Sequence, residues 1–228
     1  MALLARSEAP LRQAAAEIGG YALPLATDVS DERSVAAAFA RVGETFGTLN
    51  GLVNCAAVGF PVDLAEFSPA EFMAHFAVNV LGPALCTQAA LPFFEAAGEG
   101  DVVNVSSISV DDPFPMLTPY AASKAALEAY SLGAQREMLA RNVRVQVLRV
   151  GGMSGGKFAA AWDPAKAKRA MAMAKQQGRF SDRGPPMPAV VAAATVADML
   201  ALPRSAHAAL LVLKPKQRAS TAEQSSCQ

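Results

Sequence analysis

The chain has 228 residues, enough for one α/β domain with a real core, and its length does not call for two. Its charges balance to a formal zero, which argues against a broad electrostatic grip on nucleic acid or an anionic membrane and leaves small molecules and protein subunits as partners. Cys55, Cys86 and Cys227 stand far apart; they make neither metal-ligand spacing nor a disulfide framework and read as reduced thiols of a cytoplasmic protein.

Strand-length apolar runs alternate with helical patterns from the first residues. Residues 2–5 form a short apolar run ending at Arg6-Ser7, and residues 10–18 read as a helix closed by Gly19-Gly20. Residues 21–26 are a strand followed by Asp28, and Ser30 is placed to cap a helix over residues 31–46. Residues 51–54 are another strand. Ser68-Pro69-Ala70-Glu71 is a capping box with proline at the first helical position. The helix it opens is expected to run to about Ala97, bent at Pro83 and Pro92.

Residues 101–105 form a valine-rich strand, 119–141 a helix and 144–150 a strand. Residues 151–188 mix Gly, Met, Lys and Pro without a clear period. Residues 187–202 are helical in pattern, 208–213 form a last apolar strand, and the polar tail over 216–228 is expected to be disordered. No stretch is expected to cross a bilayer; the candidate over 190–202 is broken by Asp198 and Pro203. Strands alternating with helices imply one domain over residues 1–215, with a doubly wound, mostly parallel sheet and helices on both faces.

Tyr120-Ala121-Ala122-Ser123-Lys124 is the sharpest chemical signal. Positions i and i+4 share a helix face, so the phenol and the ammonium can enter one cleft. An ammonium beside a phenol lowers its pKa and makes it usable as an acid or base near neutrality. Taken alone, Tyr-x-x-x-Lys is also the pattern of a surface helix. Just upstream, Val102-Val103-Asn104-Val105-Ser106-Ser107 is a buried-type strand ending in hydroxyls, and ligands of open α/β sheets bind outside the carboxyl ends of strands. Asn79 stands inside a long helix, where asparagine is mildly unfavourable.

A serine, then Tyr-x-x-x-Lys, preceded by a helical asparagine, resembles the active site of the short-chain dehydrogenase/reductase family. The resemblance covers nearly the whole chain. By the family's spacing Ser107, rather than Ser106, matches its serine, and Asn79 its fourth member. Thr27-Asp28-Val29 resembles the segment whose Asp borders the adenine, and Asn54-Cys55-Ala56-Ala57 the family's Asn-Asn-Ala-Gly. Leu211 to Pro215 looks like the last strand of one branch. The resemblance implies a Rossmann-like order and nicotinamide-dependent carbonyl reduction or alcohol oxidation. In those roles Tyr120 moves the proton, Lys124 lowers its pKa and holds the nicotinamide ribose, Ser107 holds the substrate oxygen and Asn79 holds a water. Arg6, Asp28, Asn54, Ala56, Gly151 and Ser154 then join Tyr120 and Lys124 around the cofactor. Arg6 follows the second strand of the pattern, where an arginine accommodates a 2′-phosphate, so NADP is favoured over NAD.

Against the family's pattern, the sequence shows no first strand and no Gly-rich turn at a helix N-terminus, where backbone amides approach a pyrophosphate. Residues 1–6 match the family's second strand. The resemblance therefore implies a sheet lacking its first unit, with unpaired edges on two strands, and a shortened version of a complete enzyme is the favoured explanation. Ala57 stands for a glycine, and Val150-Gly151 for Pro-Gly. The rival reading is a protein that has lost dinucleotide binding and serves as a scaffold, or as a cofactor-free enzyme reusing Tyr120. Phe114, Met116, Leu117, Phe158, Trp162, Met171, Met173 and Phe180 suggest an apolar or aromatic carbonyl substrate. The long helices over 68–97 and 119–141 carry many alanines and fit the family's habit of forming homodimers or homotetramers.

Overall fold

The computed structural model describes residues 1–156, 158–179 and 184–216. The expectations about Phe180 and about the tail beyond residue 216 fall outside them.

Each apolar run forms a parallel strand: β1 (Ala2–Ala5), β2 (Leu23–Ala26), β3 (Gly51–Asn54), β4 (Gly100–Ser107), β5 (Val143–Val150) and β8 (Leu210–Leu213), with the short pair β6 (Met153–Ser154) and β7 (Met187–Pro188) beside them. The helices are α1 (Glu8–Ile18), α2 (Glu32–Phe46), α3 (Pro69–Phe76), α4 (Gly82–Ala97), α5 (Thr118–Glu137), α6 (Pro164–Gln176) and α7 (Ala189–Ala201). The main sheet has the order β3-β4-β5-β8, and β1 pairs only with β2 among the described residues.

Successive residues of β4 serve opposite faces, which is why Val102 and Val103 are both buried, each in a different core. Val102 packs with Val35, Phe39, Phe94 and Val145 under α2, α4 and α5, and Val103 packs with Leu148, Val150 and Met199 under α7. On the α5 face Asn54 Nδ2 donates to Asn104 Oδ1 at 2.8 Å, and Asn104 Nδ2 donates to Ser131 Oγ at 2.8 Å. This buried ladder fixes β3, β4 and α5 in one register, since a buried amide left unpaired costs about 1–3 kcal/mol.

Between β1 and β3 no ladder exists among the described residues; β1 faces a cavity of about 520 Å³ lined by Leu3, Leu4, Leu11, Val78 and, from the loop after β3, Val58. This is the split sheet that the resemblance implied.

Several local expectations are corrected. Asp31, not Ser30, caps α2, because its carboxylate accepts from Arg33 N and Ser34 N while the Ser30 hydroxyl donates to Asp28. α1 begins at Glu8, ahead of Pro10. Residues 69–97 form one continuous helical run as expected, but α3 passes through a π-helical turn (Ala77–Leu81) into α4, with Asn79 at its centre. The aperiodic stretch contains α6, capped by Asp163 through Lys166 N.

The run Pro69–Ala97 also overturns the expectation about membranes: it has 29 residues and contains an 18-residue stretch of mean hydropathy 1.3, long and apolar enough to cross one by length and composition alone. In this fold it lies against the sheet with His75, Asn79, Thr87, Ala90 and Phe94 buried, which is the environment of a domain helix rather than of a lipid-facing one.

Candidate active site

Period-two alternation at the end of β4 separates two adjacent serines. Ser106 Oγ donates to Glu128 Oε1 on one side, while Ser107 Oγ accepts from Ser109 N at 3.2 Å and hydrogen-bonds the Tyr120 hydroxyl on the other. α5 brings Tyr120 and Lys124 to that point one turn apart, at 8 % and 3 % exposure. Ser107, Tyr120 and Lys124 therefore converge as the sequence implied.

Their electrostatics differ from the expectation. Lys124 Nζ donates to the Val105 carbonyl at 2.8 Å, and burial presses its pKa down to about 8, opposed by the charges of Cys55 and Glu128. Burial raises the pKa of Tyr120, only partly offset by the Ser107 hydrogen bond. Desolvation of the phenolate is the largest cause of the Tyr120 shift, and Lys124 is not among its causes.

Asn79 is fully buried, and its amide is spent within the protein: Oδ1 accepts from Val58 N, and Nδ2 donates to Val58 O and Ser123 Oγ. Both amide hydrogens are used within the protein, so the side chain braces the loop after β3 against α5. The same loop is held at the next two residues. Trp162 Nε1 donates to Gly59 O at 2.6 Å, and Phe60 N donates to His75 Nε2 while His75 Nδ1 meets Glu71 O. His75 falls outside every sequence motif; the geometry makes it an anchor, and burial lowers its pKa toward the neutral ring that this bonding needs.

Over Tyr120 lies an aromatic cover. The Phe158 ring is 5.1 Å from that of Tyr120 and 5.7 Å, edge-on, from Trp162. Gly59 makes room for it: a Cβ there would overlap Phe158 and lie 2.9 Å from Tyr120 Cδ2. Met171 and Met173 are largely exposed, while Met116 and Leu117 are buried. Gly59 carried no signal in the sequence, because its need for a bare backbone arises only when Phe158 arrives.

The residues expected around a cofactor divide. Arg6, Asp28 and Ala56 line the cavity of about 520 Å³, together with Ala57. The Asp28 carboxylate is held below its ordinary pKa by the Ser30 hydroxyl first, then the Ser30 amide, with Arg6 adding to the effect. Asn54 points instead into the core ladder. Gly151 is required by packing: its N–H donates to Leu213 O, and a Cβ would sit 2.6 Å from Pro215 Cδ. Ser154 Oγ donates to Met187 O, leaving it only acceptor capacity toward a carboxamide. For a dinucleotide, these residues fit the two ends. Arg6, Asp28 and the cavity suit an adenosine, and Lys124 and Tyr120 suit the nicotinamide ribose. Among the described residues no Gly-rich turn lies between them.

An α/β sheet with a serine, a tyrosine and a lysine at its carboxyl edge defines a class, and comparison with known proteins agrees. A family model described as short chain dehydrogenase matches residues 1–166, and the chain belongs to that family. A short chain dehydrogenase of Pseudocercospora fijiensis is 37 % identical over 145 residues, covering 60 % of this chain and 47 % of that one. An alcohol dehydrogenase of the archaeon Thermococcus sibiricus, complexed with 5-hydroxy-NADP, superposes with a TM-score of 0.76 at 26 % identity, covering 93 % of this chain and 84 % of that one. A 3-ketoacyl-(acyl-carrier-protein) reductase of Brucella melitensis, complexed with NADH, gives 0.77 at 25 % identity over the same shares. The chain spans about half the length of several curated relatives it matches.

Proposed function

We propose that this site carries out NADP(H)-dependent carbonyl reduction, or the reverse alcohol oxidation, on a small apolar or aromatic substrate. The observation that carries the reading is the meeting of Ser107, Tyr120 and Lys124 at the end of β4, with Asn79 bracing the loop beside them. In this reading Arg6, Asp28 and Ala56 hold the adenosine end of the cofactor, and Lys124 the nicotinamide ribose. The bound nicotinamide supplies the hydride. Tyr120 Oη gives a proton to the substrate oxygen or takes one from it, and Ser107 Oγ orients that oxygen. A phenol of raised pKa is protonated near neutral pH, the form in which Tyr120 donates. Phe158 and Trp162 exclude water and offer an apolar wall.

NADP rather than NAD rests on Arg6 at the cavity mouth and on the absence of a carboxylate at the end of β1 to bind a free 2′-hydroxyl. The similar proteins hold one cofactor or the other. A cytoplasmic home and a homodimer or homotetramer built on α4 and α5 belong to the same proposal, the second measured by light scattering. The test of the function is Tyr120→Phe, which removes one hydroxyl from a buried ring. The variant should fold as the parent does and lose about 10²-fold or more in turnover of an aromatic ketone with NADPH. Turnover within a few-fold of the parent would take Tyr120 out of the mechanism.

A further inference from the structure

One helical turn beyond Lys124 lies a second polar cluster that the proposed chemistry does not use. Glu128 accepts from Arg149 Nε at 2.8 Å and from Arg149 Nη2 at 2.5 Å, one oxygen to each nitrogen, and also accepts from Ser106 Oγ at 2.6 Å. Arg149 Nη1 reaches Asp111 Oδ2 at 2.6 Å. The Arg149 and Glu128 side chains are each only 12 % exposed, and Asp111 lies at the rim. The cluster joins the site's parts through their neighbours: Ser106 adjoins Ser107, Glu128 lies on the helix of Tyr120 and Lys124, and Asp111 closes the 3-10 turn (Ile108–Val110) that follows Ser107.

A buried ion pair is weak support for stability, since apolar residues of similar volume often do as well. Its service here is placement. We propose that Glu128, clamped by Arg149, is a positioning residue for the Ser107–Tyr120–Lys124 site: it locks the turn after Ser107 to α5 and keeps a negative charge one turn from the Lys124 ammonium. This extends the functional reading given above and rests on it for its consequence in catalysis. The groups acting on Lys124 are Glu128 from α5, Cys55 just after β3 and the Val105 carbonyl of β4. Of these, Glu128 and Cys55 raise its pKa against the effect of burial.

The two partners of the clamp should act with opposite signs. Removing the carboxylate leaves Lys124 near an unneutralised Arg149; removing the guanidinium leaves it near an unneutralised Glu128. The experiment follows the Lys124 titration by the ¹³Cε shift in lysine-labelled protein without cofactor, assigned with Lys124→Arg. Glu128→Gln should move the midpoint down by on the order of one pH unit, and Arg149→Met should move it up by a similar amount. Arg149→Lys should leave it near the parent. Midpoints that stay put in both Glu128→Gln and Arg149→Met, or move together, would overturn the proposal, because a merely structural cluster has no reason to give opposite signs.

Should Glu128→Gln fail to fold, Arg149→Met keeps the titration test. Asp111→Asn then tests the tether, with faster hydrogen exchange at the Ser109 amide expected and unchanged exchange counting against it. Carbonyl turnover by the parent is measured alongside. Its absence would overturn the functional reading alone, since the titration needs no cofactor.

Discussion

Lys124→Met tests the electrostatic cost of the site directly. The ammonium is 3 % exposed, and its pKa is pressed from 10.5 to about 8. Below pH 8 the lysine is charged in both the folded and the unfolded chain, and the folded state carries the full burden of burying that charge. Between about pH 8 and 10.5 the unfolded chain holds the proton more tightly, so stability rises with pH through this window. The depression corresponds to about 3 kcal/mol. Methionine carries no charge, so the variant lacks this slope. The stability difference, parent minus variant, should grow in the parent's favour by about 3 kcal/mol from pH 7.5 to 10.5. At neutral pH the balance is closer, because the variant also orphans the Val105 carbonyl, at about 1–3 kcal/mol. Urea unfolding of both proteins across the window is the assay, and titrations elsewhere in the protein cancel in the difference. A difference that stays flat from pH 7.5 to 10.5 would refute the placement of a charged lysine in a desolvated site.

Arg6→Ala should weaken NADPH binding about tenfold or more and leave NADH binding nearly unchanged, because only the 2′-phosphate contact is lost; titration of each cofactor by fluorescence measures it, and equal losses would remove the preference for NADP. Gly59→Ala should displace Phe158 and disturb the Trp162 contact, since a Cβ at residue 59 has no room beside those rings. Trp162 is the sole tryptophan, so its emission should shift and the substrate KM rise several-fold. An unchanged spectrum would show that the cover does not rest on that backbone.

Part of the site was legible because its signals are local. Tyr120 and Lys124 share a helix face by spacing alone, and Ser107 alternates away from Ser106 by the strand period. What stayed hidden depends on distant partners. Asn79 looked like a misfit in a helix, yet the π-helical turn around it exists so that its amide can grip Val58 and Ser123. Glu128 and Arg149 lie 21 residues apart, on different elements, and no local pattern pairs them. α6 was missed because its Met, Ala and Lys positions lack a strong apolar stripe; Ala170 and Ala174 alone are buried on it.

The sequence by itself determined the parallel α/β architecture, the strands and the face of α5 that carries the chemistry, since hydrophobic period and capping are properties of neighbours along the chain. The resemblance to the family, rather than any local pattern, implied the split sheet, in which Ala2–Ala5 pairs with Leu23–Ala26 and Gly51–Asn54 with β4. Only the tertiary structure decided the state of the site. Burial, not the Tyr120–Lys124 spacing, sets both pKa values in the opposite sense to each group's charging. The core ladder, not the cofactor cavity, takes Asn54. The physical reason is the same in each case. Desolvation and hydrogen-bond partnership are set by what packs against a residue from elsewhere in the chain, and spacing along one element does not record it.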